Sequence, residues 1–300
     1  MSELVIKETK LNKMLQSETW YNYKHSWTAR IGSFLILSIV LIALFGPLIV
    51  PQDPYNLAEL SLENAYLPPV WEEGGQMPFL LGTDQQGRDI VSAMVYGSRV
   101  SLFIGIVGTL MASVFGITMG LLSGYFGGKV DSVIMRIADV QLSFPSLLIA
   151  LFLMTIIGQG VLNILIALLL VGWVRYARTV RGATLSVIQN EYIEATKVIG
   201  LSHIRVMLKH VLPNVLTSII VLSTIQVGGF ILTEATLSFL GMGVPITKPS
   251  LGMLCSNGFS VLYSGLWWVS IFPGLYIMMI VFGINLMGDF LRDEFNPKLK

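Results

Sequence analysis

Charge is scarce in this sequence. Charged residues make up 12% of its 300 residues, about half the roughly 25% of an ordinary soluble domain. That is too little to cover a water-soluble surface of this size. Neither sign is in excess: 19 Lys and Arg stand against 18 Asp and Glu, a net charge of +1, so the basic balance of a nucleic-acid binder is missing. Cysteine is nearly absent. The single Cys255 excludes an internal disulfide framework and a Cys-cluster metal site. There is no low-complexity tract and no convincing internal repeat. What abounds is apolar side chain, 54% of the chain with a mean hydropathy of +0.72. The composition is that of an integral membrane protein.

The uncharged runs support this. About 20 apolar residues carry a helix across the hydrocarbon core. Ile31–Gln52, Val100–Gly128, Val140–Val174, Val211–Thr233 and Pro249–Gly288 hold no charged residue. The third run is 35 residues long, enough for a hairpin of two spans turning at Gly158-Gln159-Gly160. Six spans are predicted, near 31–50, 99–122, 134–157, 161–180, 213–233 and 267–288. The third carries Arg136 and Asp139 in its first turns, and Pro145 should kink it. The first is read as a span and not a cleaved signal peptide. Some 30 polar residues precede it, and Val50-Pro51-Gln52-Asp53 is a poor cleavage site.

Lys and Arg give the orientation. With the N-terminus in the cytoplasm, Lys7, Lys10, Lys13, Lys24, Arg30, Lys129 and Arg136 lie inside. So do Arg175, Arg178, Arg181, Lys197, Arg205, Lys209, Arg292, Lys298 and Lys300. Only Arg88, Arg99 and Lys248 lie outside, so the split is 16 against 3, and both termini are expected in the cytoplasm. The expected organisation is a cytoplasmic N-terminal segment (1–30), a first span (31–50), an extracytoplasmic loop (51–97), a transmembrane domain (98–290) and a cytoplasmic tail (291–300). Residues 181–212 form a long cytoplasmic loop with helical spacing of its apolar side chains.

Sites for chemistry are few. Gly128-Lys129-Val130 superficially matches the end of a phosphate loop. Ser123 stands where the first glycine belongs, however, and Val130 where a magnesium-ligating Ser or Thr belongs. A glycine-rich turn is the better reading. No His-Glu-x-x-His and no Gly-x-Ser-x-Gly is present. His203 and His210 share a helix face, but no Cys or carboxylate partner is close in sequence, so a surface or interface pair is favoured over a metal pair. Glu234 ends the fifth span. A carboxylate in lipid is costly and invites a functional reading; without an intramembrane Lys or His it makes a poor proton relay, so a structural or gating role is expected. Small residues recur every four positions at Gly108, Ala112, Gly116, Gly120, Gly124 and Gly128. Such spacing lets helix backbones approach, either inside this bundle or against a second transmembrane subunit. Gly116, Gly120 and Gly124 are the candidate packing residues.

The 181–212 loop is the most informative segment. Glu191–Ile199 should be a short helix. Gly200 fits its C-terminal stop, Ser202 fits the N-cap of a second short helix, and Pro213 fits the opening of the fifth span, where its missing N–H costs nothing. The apolar residues of this helix-turn-helix need cover from headgroups or from a partner protein.

Glu194-Ala195-Thr196, Gly200 and His210-Val211-Leu212-Pro213 resemble the EAA loop of binding-protein-dependent ABC importer permeases. Thr196 replaces the second Ala of the pattern, and His210 replaces Ile, as in the peptide-permease branch. Leu81-Gly82-Thr83-Asp84-Gln85-Gln86-Gly87-Arg88-Asp89 resembles a signature of oligopeptide and dipeptide permease C subunits. Gly124-Tyr125-Phe126-Gly127-Gly128 with Asp131, Met135, Arg136 and Asp139 is similar to the same branch. So are Ser143-Phe144-Pro145, Glu234–Gly241 and Gly288–Asp293. Leu251-Gly252 departs from the usual Trp-Gly. The likeness runs over about residues 25–300.

The resemblance implies an all-α fold, the type I ABC importer transmembrane domain, in a bacterial inner membrane. It implies a second, B-type permease subunit, two ABC ATPase subunits and an extracytoplasmic solute-binding protein as partners, besides the lipid bilayer. The chain itself would bind no cofactor and catalyse nothing, ATP and Mg being used by the ATPases. Glu191, Glu194, Ala195, Thr196, Gly200, His210, Leu212 and Pro213 would form the ATPase-coupling loop. Loops 51–97 and 241–266 would face the binding protein. Peptides are the favoured substrate, although nickel, glutathione and opine importers share the motifs. The rival of another class is a secondary transporter or channel, which would need an ion pathway of its own; a membrane enzyme is more distant, since no nucleophile, base and metal set is present.

Overall fold

The computed structural model describes residues 18–245 and 250–295. Lys7, Lys10, Lys13, Lys248, Lys298 and Lys300 lie outside the described residues. The described chain is helical, and its one β-type pairing is an isolated bridge between Thr83 and Asp89.

A short helix, α1 (Glu18–His25), precedes α2 (Trp27–Phe45). Ser26 caps α2, its hydroxyl accepting the Ala29 N–H at 3.2 Å. A long loop leads to α3 (Ile90–Phe126), whose 37 residues make a rod of about 55 Å, longer than the bilayer core. Next come α4 (Gly128–Leu142), α5 (Ser146–Ile157), α6 (Val161–Val187), α7 (Glu191–Val198), α8 (His203–Val206), α9 (Leu212–Phe239), α10 (Leu251–Val261) and α11 (Trp268–Glu294). Among the described residues, five helical runs are long and apolar enough to span, and the α4–α5 pair makes a sixth if taken as one broken span.

Three features differ from the sequence expectations. The third span is no single kinked helix: α4 and α5 meet at 90°. Pro145 disfavours a helical backbone at Phe144 and offers no N–H, so the helix stops at Leu142 and restarts at Ser146. The second span begins at Ile90, well before residue 99, because Asp89 is a good cap: its Oδ2 accepts the Ser92 N–H at 2.8 Å and the Ser92 hydroxyl at 2.6 Å. Pro213 stands in the first turn of α9, as expected, but the span does not begin there. The helix runs from His203 through a π turn at Met207–Val211 into α9. In that wider turn the Leu212 N–H reaches the Met207 carbonyl, which makes room for the ring of Pro213. The Asn214 side chain donates to the His210 carbonyl at 2.6 Å.

Segments expected on the same side of the membrane meet at the two ends. At one end α1 meets α11 through Asn22 Nδ2 and Glu294 Oε2 at 2.9 Å, and Tyr125 shares a 2.9 Å hydrogen bond with His203 Nδ1. At the other end Trp268 Nε1 donates to the Thr83 carbonyl at 3.3 Å, and Gln159 Nε2 to the Gly241 carbonyl at 2.7 Å. The main core packs α3 against α6 and α9 around Ile104, Leu168, Tyr176 and Phe230. A second core joins α2, α9 and α11 through Ile39, Ile231, Ile277 and Ile284.

Candidate coupling surface and membrane cavity

α7 and the turn after it form a projecting edge. Ile193 is fully buried and Thr196 nearly so; the Thr196 hydroxyl donates to the Ile193 carbonyl at 2.6 Å. Ile193 and Val206 join the apolar cluster that holds Leu121, Val180 and Val211. This anchors one face of the helix-turn-helix. The other face is bare. Glu191, Glu194, Ala195 and Gly200 are exposed, and Val198, Ile199 and Ile204 are 88%, 76% and 66% exposed. Aliphatic side chains this exposed need cover from headgroups or from a partner protein. Gly200 has φ +79° with open space around it, so only its backbone conformation demands glycine. Ser202 occupies the N-cap position of α8 with extended backbone, but its side chain makes no capping bond. His210 is half-buried, and Leu212 and Pro213 lie where the π turn passes into α9.

Behind this edge α3 and α6 approach closely. A Cβ on Gly116 would lie 2.5 Å from the Trp173 carbonyl oxygen. One on Gly120 would lie 2.6 Å from that of Ala177, and one on Gly124 2.7 Å from Thr184 Cβ. Of the two packing alternatives for these glycines, the one inside the bundle is occupied. The seam is tied to α4 by charge. Arg181 Nε and Nη2 donate to Asp131 Oδ1 and Oδ2 at 2.5 and 2.6 Å, and Ser123 donates to Asp131 Oδ1 at 2.5 Å. Arg178 pairs with Asp139.

Glu234 is fully buried. It accepts the Ser101 hydroxyl of α3 on Oε2 and the Ser238 hydroxyl on Oε1, both at 2.8 Å. Ser250, at the N-cap of α10, touches the same carboxylate. One side chain thus joins α3, α9 and α10. Within the 241–266 loop α10 is partly sunk into the fold. A Cβ on Gly252 would lie 2.6 Å from Ala235 Cα, so the backbone contact there requires glycine.

The opposite end carries a buried polar knot. Asp84 Oδ1 accepts the N–H groups of Gln86 and Arg88 at 2.8 and 3.0 Å. Gln52 Oε1 accepts the Asp89 N–H at 2.7 Å. Burial pushes the Asp84 and Asp89 carboxyls above the usual carboxylate range and holds the Arg88 guanidinium below its own.

The α4–α5 corner opens a cavity of about 220 Å³ against α6 and α9. Its polar lining includes Gln141, Arg175, Gln226 and Thr233. Gln141 is fully engaged: its Oε1 accepts Trp173 Nε1 at 2.9 Å and its Nε2 donates to the Val171 carbonyl at 3.1 Å. Sequence reasoning missed this site. The predicted fourth span, 161–180, contained Arg175 and Arg178, yet both were counted as loop cations; the structure places both on α6.

The chain matches the family model described as "Binding-protein-dependent transport system inner membrane component" over residues 116–300. A second model, "N-terminal TM domain of oligopeptide transport permease C", matches residues 15–69. The chain belongs to this permease family. Relatives match along nearly the whole length. The dipeptide transport system permease protein DppC of Escherichia coli (strain K12) is 40% identical over 283 residues, 94% of this chain and 93% of that one. The DppC of Haemophilus influenzae is 39% identical over 283 residues, with 94% and 95% covered. The oligopeptide transport system permease protein OppC of Bacillus subtilis is 36% identical over 294 residues, with 98% and 93% covered. The fold is that of a chain from the inward-facing MetNI methionine ABC transporter, with a TM-score of 0.54 at 21% identity, covering 68% of this chain and 96% of that one. The protein is accordingly a multi-pass inner-membrane permease subunit. In this family the ATPase activity belongs to partner subunits.

Proposed function

We propose that this permease forms half of the membrane pathway of an ATP-driven importer of di- and oligopeptides. The observation that carries the substrate class is full-length identity of 36–40% to relatives named as dipeptide and oligopeptide permeases. The proposed partners are a second, B-type permease, two ABC ATPases and an extracytoplasmic binding protein. ATP and Mg would be held by the ATPases. Glu191, Glu194, Ala195, Thr196 and Gly200 would seat α7 in an ATPase groove, with His210, Leu212 and Pro213 fixing the exit into α9. The bare aliphatic edge of Val198, Ile199 and Ile204 supports this, since a helix-in-groove contact would cover it. Closure of the ATPases would then shift the pathway between inward-open and outward-open states.

Co-expression with the neighbouring permease, ATPase and binding-protein genes tests the reading. The complex, reconstituted in vesicles, should take up radiolabelled dipeptide only with ATP and binding protein present. Dipeptide uptake by this chain alone without ATP would refute it.

A further inference from the structure

We infer that the cavity at the α4–α5 corner contains a carboxylate-binding subsite formed by Arg175 and Gln226, which receives the C-terminal carboxylate of a passing peptide. The inference rests on the peptide reading above and adds a site to it.

Arg175, an exposed residue lining the cavity, stands on a membrane-spanning helix, where ionisable side chains are rare and tend to mark a substrate path. Arg178 and Arg181, about one and two turns on, both have carboxylate partners on α4. Arg175 has none within ion-pair distance among the described residues; its one side-chain partner is Gln226 Oε1, at a long 3.4 Å. The guanidinium therefore keeps most of its donors unused. A planar fork of N–H groups matches the two oxygens of a carboxylate, and every linear peptide with a free C-terminus brings one.

The surroundings suit a ligand better than a lipid. Gln226 is buried and stands one turn before Gly229 on the same face of α9. A Cβ on Gly229 would meet only Gln226 Nε2, at 4.0 Å, so this wall is open where a side chain would fill it. Leu168, Phe230 and Leu147 supply apolar lining for a peptide side chain.

Three arms test the site in the assembled, reconstituted transporter. Arg175→Gln should lower uptake of a radiolabelled dipeptide roughly 10- to 150-fold, the range for losing a hydrogen-bonded charge. ATPase stimulation by the peptide-loaded binding protein should stay within about twofold of wild type, because no docking surface changes. Arg175→Lys, which keeps the charge but not the fork, should fall between. In a Cys255→Ser background, Gly229→Cys should react faster with an anionic than with a cationic thiosulfonate, and Arg175→Gln should abolish that preference. Unchanged uptake in Arg175→Gln, parallel loss of uptake and ATPase stimulation, or equal reagent rates would each overturn the inference. So would a defect that vanishes in vesicles lacking anionic lipid, which would assign the cation to headgroups. A wild-type transporter that imports no dipeptide overturns the peptide reading and this inference with it; a wild type that imports and a variant that imports equally overturns the inference alone.

Discussion

Two glycines on the α3–α6 pair should respond in opposite directions to the same change. Gly120 faces α6 so closely that an added Cβ would lie 2.6 Å from the Ala177 carbonyl oxygen and 2.7 Å from Val180 Cβ. Ordinary contact begins at 3.4 Å, so the helices must separate by about 0.8 Å or bend. The obstruction is backbone and a β-branched stem, neither of which can turn aside. Overpacking of this kind costs about 1–3 kcal/mol. Gly182, inside α6, has nothing within 4 Å of its Cβ position, and replacing an unobstructed helical glycine with alanine gains about 0.5–1 kcal/mol. Both variants gain the helix-propensity term, so Gly120→Ala should melt below Gly182→Ala by the overpacking cost alone, roughly 1–3 kcal/mol, with Gly182→Ala at or slightly above the parent protein. Thermal unfolding of the purified permease in detergent, followed by a thiol-independent probe such as scanning fluorimetry, reads the order. Gly120→Ala as stable as Gly182→Ala would refute the close approach. Loss of the partner permease with unchanged stability would instead place Gly120 at the subunit interface.

Gly200→Val should insert normally but weaken ATPase retention in pull-downs and abolish transport, because φ +79° costs an ordinary residue about 1–2 kcal/mol. Gly200→Asn, which tolerates that conformation, should keep most activity. Glu234→Ala should destabilise the protein by about 1–3 kcal/mol, leaving the Ser101 and Ser238 hydroxyls unpaired. Glu234→Gln should melt near wild type, and a transport loss confined to that variant would show that the charge itself is used. Burial makes Asp84 bind its proton more tightly in the folded loop than in the unfolded chain, so its contribution is complete below the ordinary aspartate value of 3.8 and is lost as pH rises through the raised folded value. Asp84→Asn keeps the Oδ1 acceptor and should flatten the stability profile between about pH 4 and 7, matching or exceeding wild type at pH 7; a steeper profile in the variant would contradict this.

The spans were legible because lipid imposes a simple rule, a long run without charge, and the runs ending at Arg99, Lys129, Arg175 and Glu234 mark them in plain view. Helix ends were less legible. Asp89 extends α3 outward by capping it, and α6 runs on to Val187 past Arg178 and Arg181, whose ion pairs with α4 a hydropathy count ignores. Pro145 and Pro213 show the same limit. Each was visible as a disturbance, but whether the chain breaks, as at Ser143–Pro145, or widens into a π turn, as at Met207–Val211, depends on what packs around it. The helix-turn-helix at 191–206 was readable because its glycine and apolar spacing are local. The cavity was not, since Arg175, Gln141 and Gln226 come from three helices and converge only in the fold. The lone sequence signal was an arginine within a predicted span.

The same contacts divide the molecule into stiff and compliant parts, which bears on how a push on α7 would travel. Ile193 and Val206 share one apolar cluster with Leu121 and Val180, so α7 cannot move inward without moving the ends of α3 and α6. Those two helices have no room to slide, since Gly116, Gly120 and Gly124 already sit in backbone contact with α6, and close-packed interiors transmit displacement instead of absorbing it. Compliance lies elsewhere. Gly127 and Gly128 have φ +62° and +50° with nothing near either Cβ position, and the α4–α5 corner turns through 90°. α4 is held to the seam by Asp131–Arg181, Asp139–Arg178 and Gln141, whereas α5, beyond the corner, packs on α6 mainly through apolar side chains, with Ala150 and Met154 in the same buried cluster as Leu168. A displacement of α7 would therefore carry α3, α6 and α4 together, and a change in their angle to α5 would slide the apolar surfaces of α5 and α6 past one another. The Arg175 cavity lies at that joint, walled by Leu168 and Gly172 on α6 and by Ser146 and Ile149 on α5. On the proposed coupling role, movement driven at the α7 edge would alter the size of the cavity while leaving the α3–α6 seam intact.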